Sequence, residues 1–208
     1  ISDVTFNSSA VSVFSSIAPA TDAYVKSTNV TYSLSQNLTS GTIKFVNSGG
    51  TFDSNSPHSV SLTGSELNSG SHSDITLTNT PSTFLVDGSI YTISFNGTIS
   101  SGVAETATST NVNYDVTNPV FTNLKPIASS TINSSAVGYT LSKNIESGSV
   151  TFTRSGGTTD SNSPHTCSLI GSELNSGTRS SALLTNSPTL VSGTTYSITF
   201  NATDSAGN

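Results

Sequence analysis

Two histidines, His58 and His165, close equivalent loops in the tripeptide Ser-Pro-His, and each follows an Asp-x-Asn pair, Asp53 with Asn55 and Asp160 with Asn162. Nucleophilic hydrolysis needs a His oriented by a carboxylate and facing an activated Ser. With 44 serines in the chain, a Ser near a His carries no information, and no Gly-x-Ser-x-Gly elbow occurs. HExxH, paired-cysteine, Walker and dinucleotide motifs are absent as well. The sequence therefore points away from an enzyme, and His58 and His165 read as loop-packing residues with a ring nitrogen bonded to backbone. The Asp-x-Asn spacing offers a cation two side-chain oxygens, but neither loop has the Gly and terminal Glu of an EF-hand. Asp and Asn are also ordinary turn residues, which bond to their own backbone. Glu66 and Glu173 stand in Gly-Ser-Glu-Leu-Asn, which reads as one helical turn that Ser65 caps and Gly70 ends in the first instance, with the two glutamates capping or solvating it. The lone cysteine, Cys167, permits no internal disulfide. It takes the place of Val60 in an alternating run, so it reads as a small buried apolar side chain.

The elements that carry these residues occur twice. Val30-Thr-Tyr-Ser-Leu-Ser matches Val137-Gly-Tyr-Thr-Leu-Ser, Gly49-Gly50 matches Gly156-Gly157, and Glu66-Leu67-Asn68 matches Glu173-Leu174-Asn175, each at an offset of 107 residues. After Pro81 and Pro188 the offset falls to 105, so Leu85-Val-Asp-Gly-Ser-Ile-Tyr-Thr-Ile-Ser-Phe-Asn96 matches Leu190-Val-Ser-Gly-Thr-Thr-Tyr-Ser-Ile-Thr-Phe-Asn201. In both, a turn with Gly opens a Tyr-x-Ile-x-Phe alternation, the mark of a half-buried strand. Similar alternations predict strands over 13–17, 30–34, 42–46, 59–62, 74–77, 90–95 and 108–114, separated by turn signals. No stretch of ten residues carries a helical period. The chain is therefore expected to be all-β: two tandem sandwich domains end to end, about seven short strands each.

Composition agrees with thin cores and a hydroxyl-rich surface. Charged residues are 9% of the chain, hydrophobic residues 32%, and 44 Ser, 33 Thr and 19 Asn make up close to half of it. A net charge of −6 with six basic residues leaves no basic patch to neutralise a phosphate backbone, so nucleic acid is not an expected partner. No apolar run approaches the roughly 18 residues of a membrane-spanning helix. Six Asn-x-Ser/Thr sites, beginning at Asn7, Asn29, Asn37, Asn96, Asn133 and Asn201, are about what this composition yields by chance. The hydroxyl-rich surface suits an extracellular setting and offers attachment points for glycans.

The copies differ at their ends. Domain 1 spans 8–115 and runs on to its own closing strand, whereas domain 2, 116–208, reaches Asp204-Ser-Ala-Gly-Asn208 without one. A surplus strand-like segment, 1–7, precedes domain 1, and its Val4 and Phe6 match Val112 and Tyr114 of the closing strand. A sandwich lacking an edge strand exposes backbone donors and acceptors and invites another chain to pair. Two arrangements follow. Either Val4 and Phe6 of one molecule complete domain 2 of its neighbour beside Tyr196, Ile198 and Phe200, or the chain is a window cut from a longer array. Both place domains in a filament, since a heterologous contact that does not close propagates.

Asp115-Val-Thr-Asn-Pro119, Val137-Gly-Tyr-Thr-Leu-Ser142, the Leu-Val-x-Gly-x-x-Tyr-x-Ile-x-Phe stretches and Asp204-Ser-Ala-Gly-Asn208 resemble the bacterial immunoglobulin-like and fibronectin type III-like tandem repeats of surface adhesins and extracellular filaments. Leu-x-x-Gly-x-x-Tyr resembles the tyrosine corner of such sandwiches, whose hydroxyl bonds a nearby backbone group. The first copy departs from the pattern, with Ile99-Ser-Ser-Gly102-Val103 in place of Asp204-Ser-Ala-Gly207-Asn208. The resemblance implies an extracellular structural subunit of a fibre, adhesin stalk or surface filament, self-associating through the open edge of domain 2. It also implies Ca2+ where the domains join, with Asp115, Asn118 and Asn113 as donors. A cell-surface glycan- or ligand-binding module, using the loops around Asp53 and Asp160, is the alternative, although the chain has no Trp for stacking on sugar.

Overall fold

A computed structural model describes residues 12–80, 85–102 and 104–208. The chain divides into two compact units, Ile1–Val116 and Thr117–Asn208. Their strands, in chain order, are β1 (Phe14–Ala18), β2 (Tyr24–Val25), β3 (Val30–Leu34), β4 (Ser40–Gly50), β5 (His58–Ser61), β6 (Gly70–Ile75), β7 (Ser89–Thr98) and β8 (Ala104–Tyr114) in the first. The second has β9 (Phe121–Lys125), β10 (Val137–Leu141), β11 (Ser147–Gly157), β12 (His165–Ser168), β13 (Gly177–Ala182) and β14 (Thr194–Thr203). The only helical elements among the described residues are two 3-10 turns, Gly64–Leu67 and Gly171–Leu174. The architecture is all-β.

In unit 1, a three-stranded sheet β1-β3-β6 faces a five-stranded sheet β2-β8-β7-β4-β5. Period-two patterning explains the layers: β3 alternates buried and half-buried residues, and β7 does so over its full length. The inward residues Tyr32, Leu34, Ile43, Phe45, Ile93 and Phe95 meet in one core. Unit 2 repeats the plan with sheets β9-β10-β13 and β12-β11-β14, and its core gathers Tyr139, Leu141, Val150, Phe152, Cys167 and Leu184. Cys167 is buried in the place that Val60 fills in unit 1, as its alternating context predicts.

The long strands β4 and β11 end in the paired glycines. Gly50 and Gly157 have φ of +67° and +70°, and a Cβ at either would collide with the carbonyl oxygen of Gly88 or Gly193. Only glycine lets the neighbouring turn approach that closely. The strands are longer than the alternation alone predicts. β4 and β7 pair continuously from Ser40↔Thr98 to Gly50↔Ser89 except for one bulge, carrying the ladder through polar residues that have no apolar signal. Strand β2 carries no alternation signal at all. It exists because β8 passes beside it in parallel, with Tyr24 opposite Asn113 and Val25 opposite Tyr114.

Candidate functional site

The loops that begin at Asp53 and Asp160 are not open donor sites. Asp53 is only 2% exposed. Its Oδ1 accepts the Asn55 backbone N–H at 3.0 Å, and its Oδ2 lies 2.5 Å from His58 Nε2 and accepts the Tyr91 hydroxyl at 2.7 Å. The Tyr91 oxygen in turn accepts the Val86 N–H at 3.0 Å, which is the backbone bond expected of a tyrosine corner. Unit 2 repeats every link: Asn162 N–H and His165 Nε2 on Asp160, Tyr196 hydroxyl to Asp160 at 2.5 Å, and Val191 N–H to Tyr196. Burial raises the Asp53 carboxyl, but the bonds from His58, Tyr91 and Asn55 outweigh it and hold the group below its ordinary value. Bonds from Tyr196 and His165 bring Asp160 down to about 2, against the smaller opposing effect of burial.

The sequence reading gave His58 and His165 a backbone partner; the structure adds a carboxylate, met by Nε2 of each ring. The reason is tertiary. The corner strand delivers the Tyr hydroxyl into the loop from 36 to 38 residues away, and the carboxylate turns inward to meet it. Spent on these partners, the two carboxylates tie a turn-rich loop to the sheet.

The 3-10 turns are pinned in the same manner. Glu66 accepts the N–H groups of Thr63 and Thr78, each at 2.7 Å, and the Tyr32 hydroxyl donates to the Glu66 carbonyl at 2.8 Å. The turn is closed from within by Glu66, preceded by Thr63 and ended at Asn68, rather than capped by Ser65 and stopped by Gly70. Glu173 makes the equivalent bonds to Ile170 and Thr185. Where His72 stacks on Tyr32 with ring centroids 4.7 Å apart, Arg179 lies over Tyr139 at 5.3 Å. Asp204 has no acidic counterpart in unit 1, where buried Ile99 takes its place. It accepts Lys143 Nζ at 2.8 Å and the N–H groups of Ala206 and Asn208. Burial raises the Asp204 carboxyl, yet Lys143 and Asn208 outweigh it and lower it to about 2.

The units differ most along one edge. In unit 1, β8 runs antiparallel along β7, with Tyr91↔Val112, Ile93↔Ser109, Phe95↔Ala107 and Thr98↔Ala104. In unit 2, β14 pairs with β11 on one side and with no strand on the other among the described residues. Its face consequently changes from the alternation of buried and half-buried residues in β7 to half-buried and exposed in β14. Val13 is 1% exposed in unit 1, whereas the matching Val120 is 50% exposed. Beside β14 lies a groove of about 460 Å³ lined by Val120, Phe121, Leu124, Ile198, Phe200 and Ala202, among others. Asn118, Asn201 and Asn208 share the lining, so the groove is mixed in character.

Tyr196, Ile198 and Phe200 therefore lie together on β14, Ile198 and Phe200 lining the groove. Val4 and Phe6, the segment expected to donate a strand, lie outside the described residues. Of the three residues suggested for calcium, Asn113 is paired within the ladder of β8 and Asp115 follows it, donating its backbone N–H to Val25 at 2.9 Å; Asn118 belongs to unit 2. One carboxylate and two amides supply fewer than the six to eight oxygens that calcium takes. Sequence reasoning missed the Lys143–Asp204 pair, which joins residues 61 apart.

No protein-family model matches the chain, and no curated protein matches it.

Proposed function

We propose that the chain is a structural, non-enzymatic part of an extracellular fibre, adhesin stalk or surface filament, built from immunoglobulin-like sandwich repeats joined head to tail. The observation that carries this reading is the repetition of one all-β unit along the chain, with the β4–β7 ladder repeated by β11–β14 and the same Asp-His-Tyr tie in each. A strand laid along β14, whether from the same chain or from a neighbour, satisfies backbone groups and buries Ile198 and Phe200. Support also comes from the internal ties. Both units spend their buried carboxylates on holding loops and turns to the sheets, which suits a module that transmits load rather than one that turns over substrate. Those ties also leave Asp53 and Asp160 poorly placed to meet a glycan, so the ligand-binding reading gains no support.

Electron microscopy of the purified chain, with mass measured by light scattering across a concentration series, tests the proposal. Filaments or concentration-dependent oligomers with a two-domain repeat are expected. Deleting residues 1–7 tests donation by that segment; fibres that assemble as before would sink it.

A further inference from the structure

We infer that Asn37 is an acceptor for an N-linked glycan, and that the fold admits a sugar there while refusing one at Asn29 and Asn96. The inference rests on the extracellular setting proposed above, because asparagine receives its sugar from polyprenyl-diphosphate-linked donors while a chain is being exported. The number of Asn-x-Ser/Thr triplets carries nothing, but the structure sorts them. Asn37 lies exposed in the turn between β3 and β4. Its side-chain Oδ1 accepts the Ser69 N–H at 2.7 Å, and its Nδ2 has no hydrogen-bond partner among the described residues. Thr39, whose hydroxyl completes the triplet, is exposed as well.

Asn29 and Asn96 are committed to the fold instead. Asn29 Nδ2 donates to Asp74 Oδ1 at 3.1 Å and its Oδ1 accepts the Thr76 hydroxyl at 2.6 Å, so both ends of that amide are engaged. The Thr31 hydroxyl of the same triplet accepts the Asp74 N–H at 2.9 Å. Asn96 stands within β7, between Thr42 of β4 and Thr106 of β8, and its Oδ1 accepts the Thr106 hydroxyl at 2.8 Å. A bulky sugar at either site displaces partners that the fold uses, and each lost bond weakens folding. Asn201 matches Asn96 and stands within the β11–β14 ladder opposite Ser149. Asn133 is exposed, but Ser135, whose hydroxyl its triplet needs, is buried. Neither offers a turn and an exposed hydroxyl together, and Asn7 lies outside the described residues.

Unit 2 supplies an internal control. Asn144 occupies the same point of the turn between β10 and β11, is also exposed, and its Oδ1 accepts the Ser176 N–H at 2.8 Å. The flanking backbone bonds match. Leu38 N–H donates to the Leu67 carbonyl at 2.8 Å and Ile145 N–H to the Leu174 carbonyl at 3.0 Å, while Thr39 N–H meets the Thr98 carbonyl and Glu146 N–H the Thr203 carbonyl, both at 2.8 Å. The turn therefore keeps an asparagine in each unit, and Thr39 against Glu146 is what separates an acceptor triplet from a blank one. In the transfer, Asn37 Nδ2 bonds to the anomeric carbon of the donor sugar, the bond from that carbon to the diphosphate oxygen breaks, and one amide proton passes to solvent as the polyprenyl diphosphate leaves. Nδ2 keeps its second hydrogen and Oδ1 its lone pairs, so the bond from Ser69 and the turn survive the modification.

The test uses the whole 208-residue chain behind a secretion leader in a eukaryotic secretory host, with its Thr39→Ala and Glu146→Thr variants. Release of glycans by peptide-N-glycosidase in heavy-oxygen water, followed by peptide mass spectrometry, reads occupancy at each asparagine of the secreted protein. Asn37 is expected to carry glycan in most molecules, with occupancy at Asn29 and Asn96 at least about tenfold lower, since chains modified there lose bonds the fold needs. Thr39→Ala should empty Asn37, and Glu146→Thr should place a glycan on Asn144. A bare Asn37, or occupancy at Asn29 or Asn96 equal to that at Asn37, overturns the inference. A Glu146→Thr chain that stays bare at Asn144 overturns it too, because the turn would then not be what admits the sugar. The leader exports the chain wherever it normally works, so a bare Asn37 leaves the structural reading standing, whereas a chain glycosylated at Asn37 that stays monomeric across the concentration series upholds the acceptor and sinks self-assembly.

Discussion

Truncating the same aromatic in each repeat weighs the two edges against each other. Phe95 is wholly buried, packed on Phe14 and Tyr32 at centroid distances of 5.9 and 6.1 Å, with β8 lying along its strand. Phe95→Ala leaves a closed cavity in a core that cannot collapse, and the expected cost to unit 1 is about 3–5 kcal/mol. Phe200 keeps equivalent neighbours, Phe121 at 5.5 Å and Tyr139 at 6.0 Å, but also borders the open groove. Phe200→Ala removes less buried area and opens onto solvent rather than enclosing a void, so about 1–3 kcal/mol is expected for unit 2. The chain has no Trp, so Tyr emission would mix the two units. Urea-dependent hydrogen exchange read by mass spectrometry on peptides from each unit separates them. Equal costs in the 208-residue chain would refute the reasoning, because they would mean that Phe200 is enclosed as fully as Phe95.

Other consequences follow from the internal ties. Asp53→Asn should cost unit 1 about 2 kcal/mol, since it removes the charge that His58, Tyr91 and Asn55 bond, and Asp160→Asn should weaken unit 2 in the same direction; midpoints of urea unfolding measure both. Asp160 and Asp204 sit at about 2 in the folded protein against an ordinary 3.8. Because the folded value is the lower one, their stabilisation is present above about pH 4 and is lost as pH falls from 4 towards 2. Thermal scans should show unit 2 melting earlier through that window, and Lys143→Met should flatten the part owed to Asp204. Gly157→Ala should destabilise unit 2 by at least about 1 kcal/mol, through strain at positive φ and the clash with the Gly193 carbonyl; an unchanged unfolding midpoint would contradict the close approach.

Much of the fold was legible in the chain because its determinants are local and occur twice. Tyr-x-Ile-x-Phe and Val-x-Tyr-x-Leu announce strands through period-two burial, and Gly49-Gly50 with Gly156-Gly157 announces where the long strands turn. What only the tertiary structure decided is how polar groups find partners. His58 and Tyr91 converge on Asp53, Glu66 reaches across to Thr78, and Lys143 meets Asp204. Apart from the His58 contact, these pairs join residues 12 to 61 positions apart, and a polar side chain has no periodicity that betrays a distant partner. Strand β2 stayed hidden for a related reason: it is defined by β8, the strand that lies against it, and not by any pattern of its own.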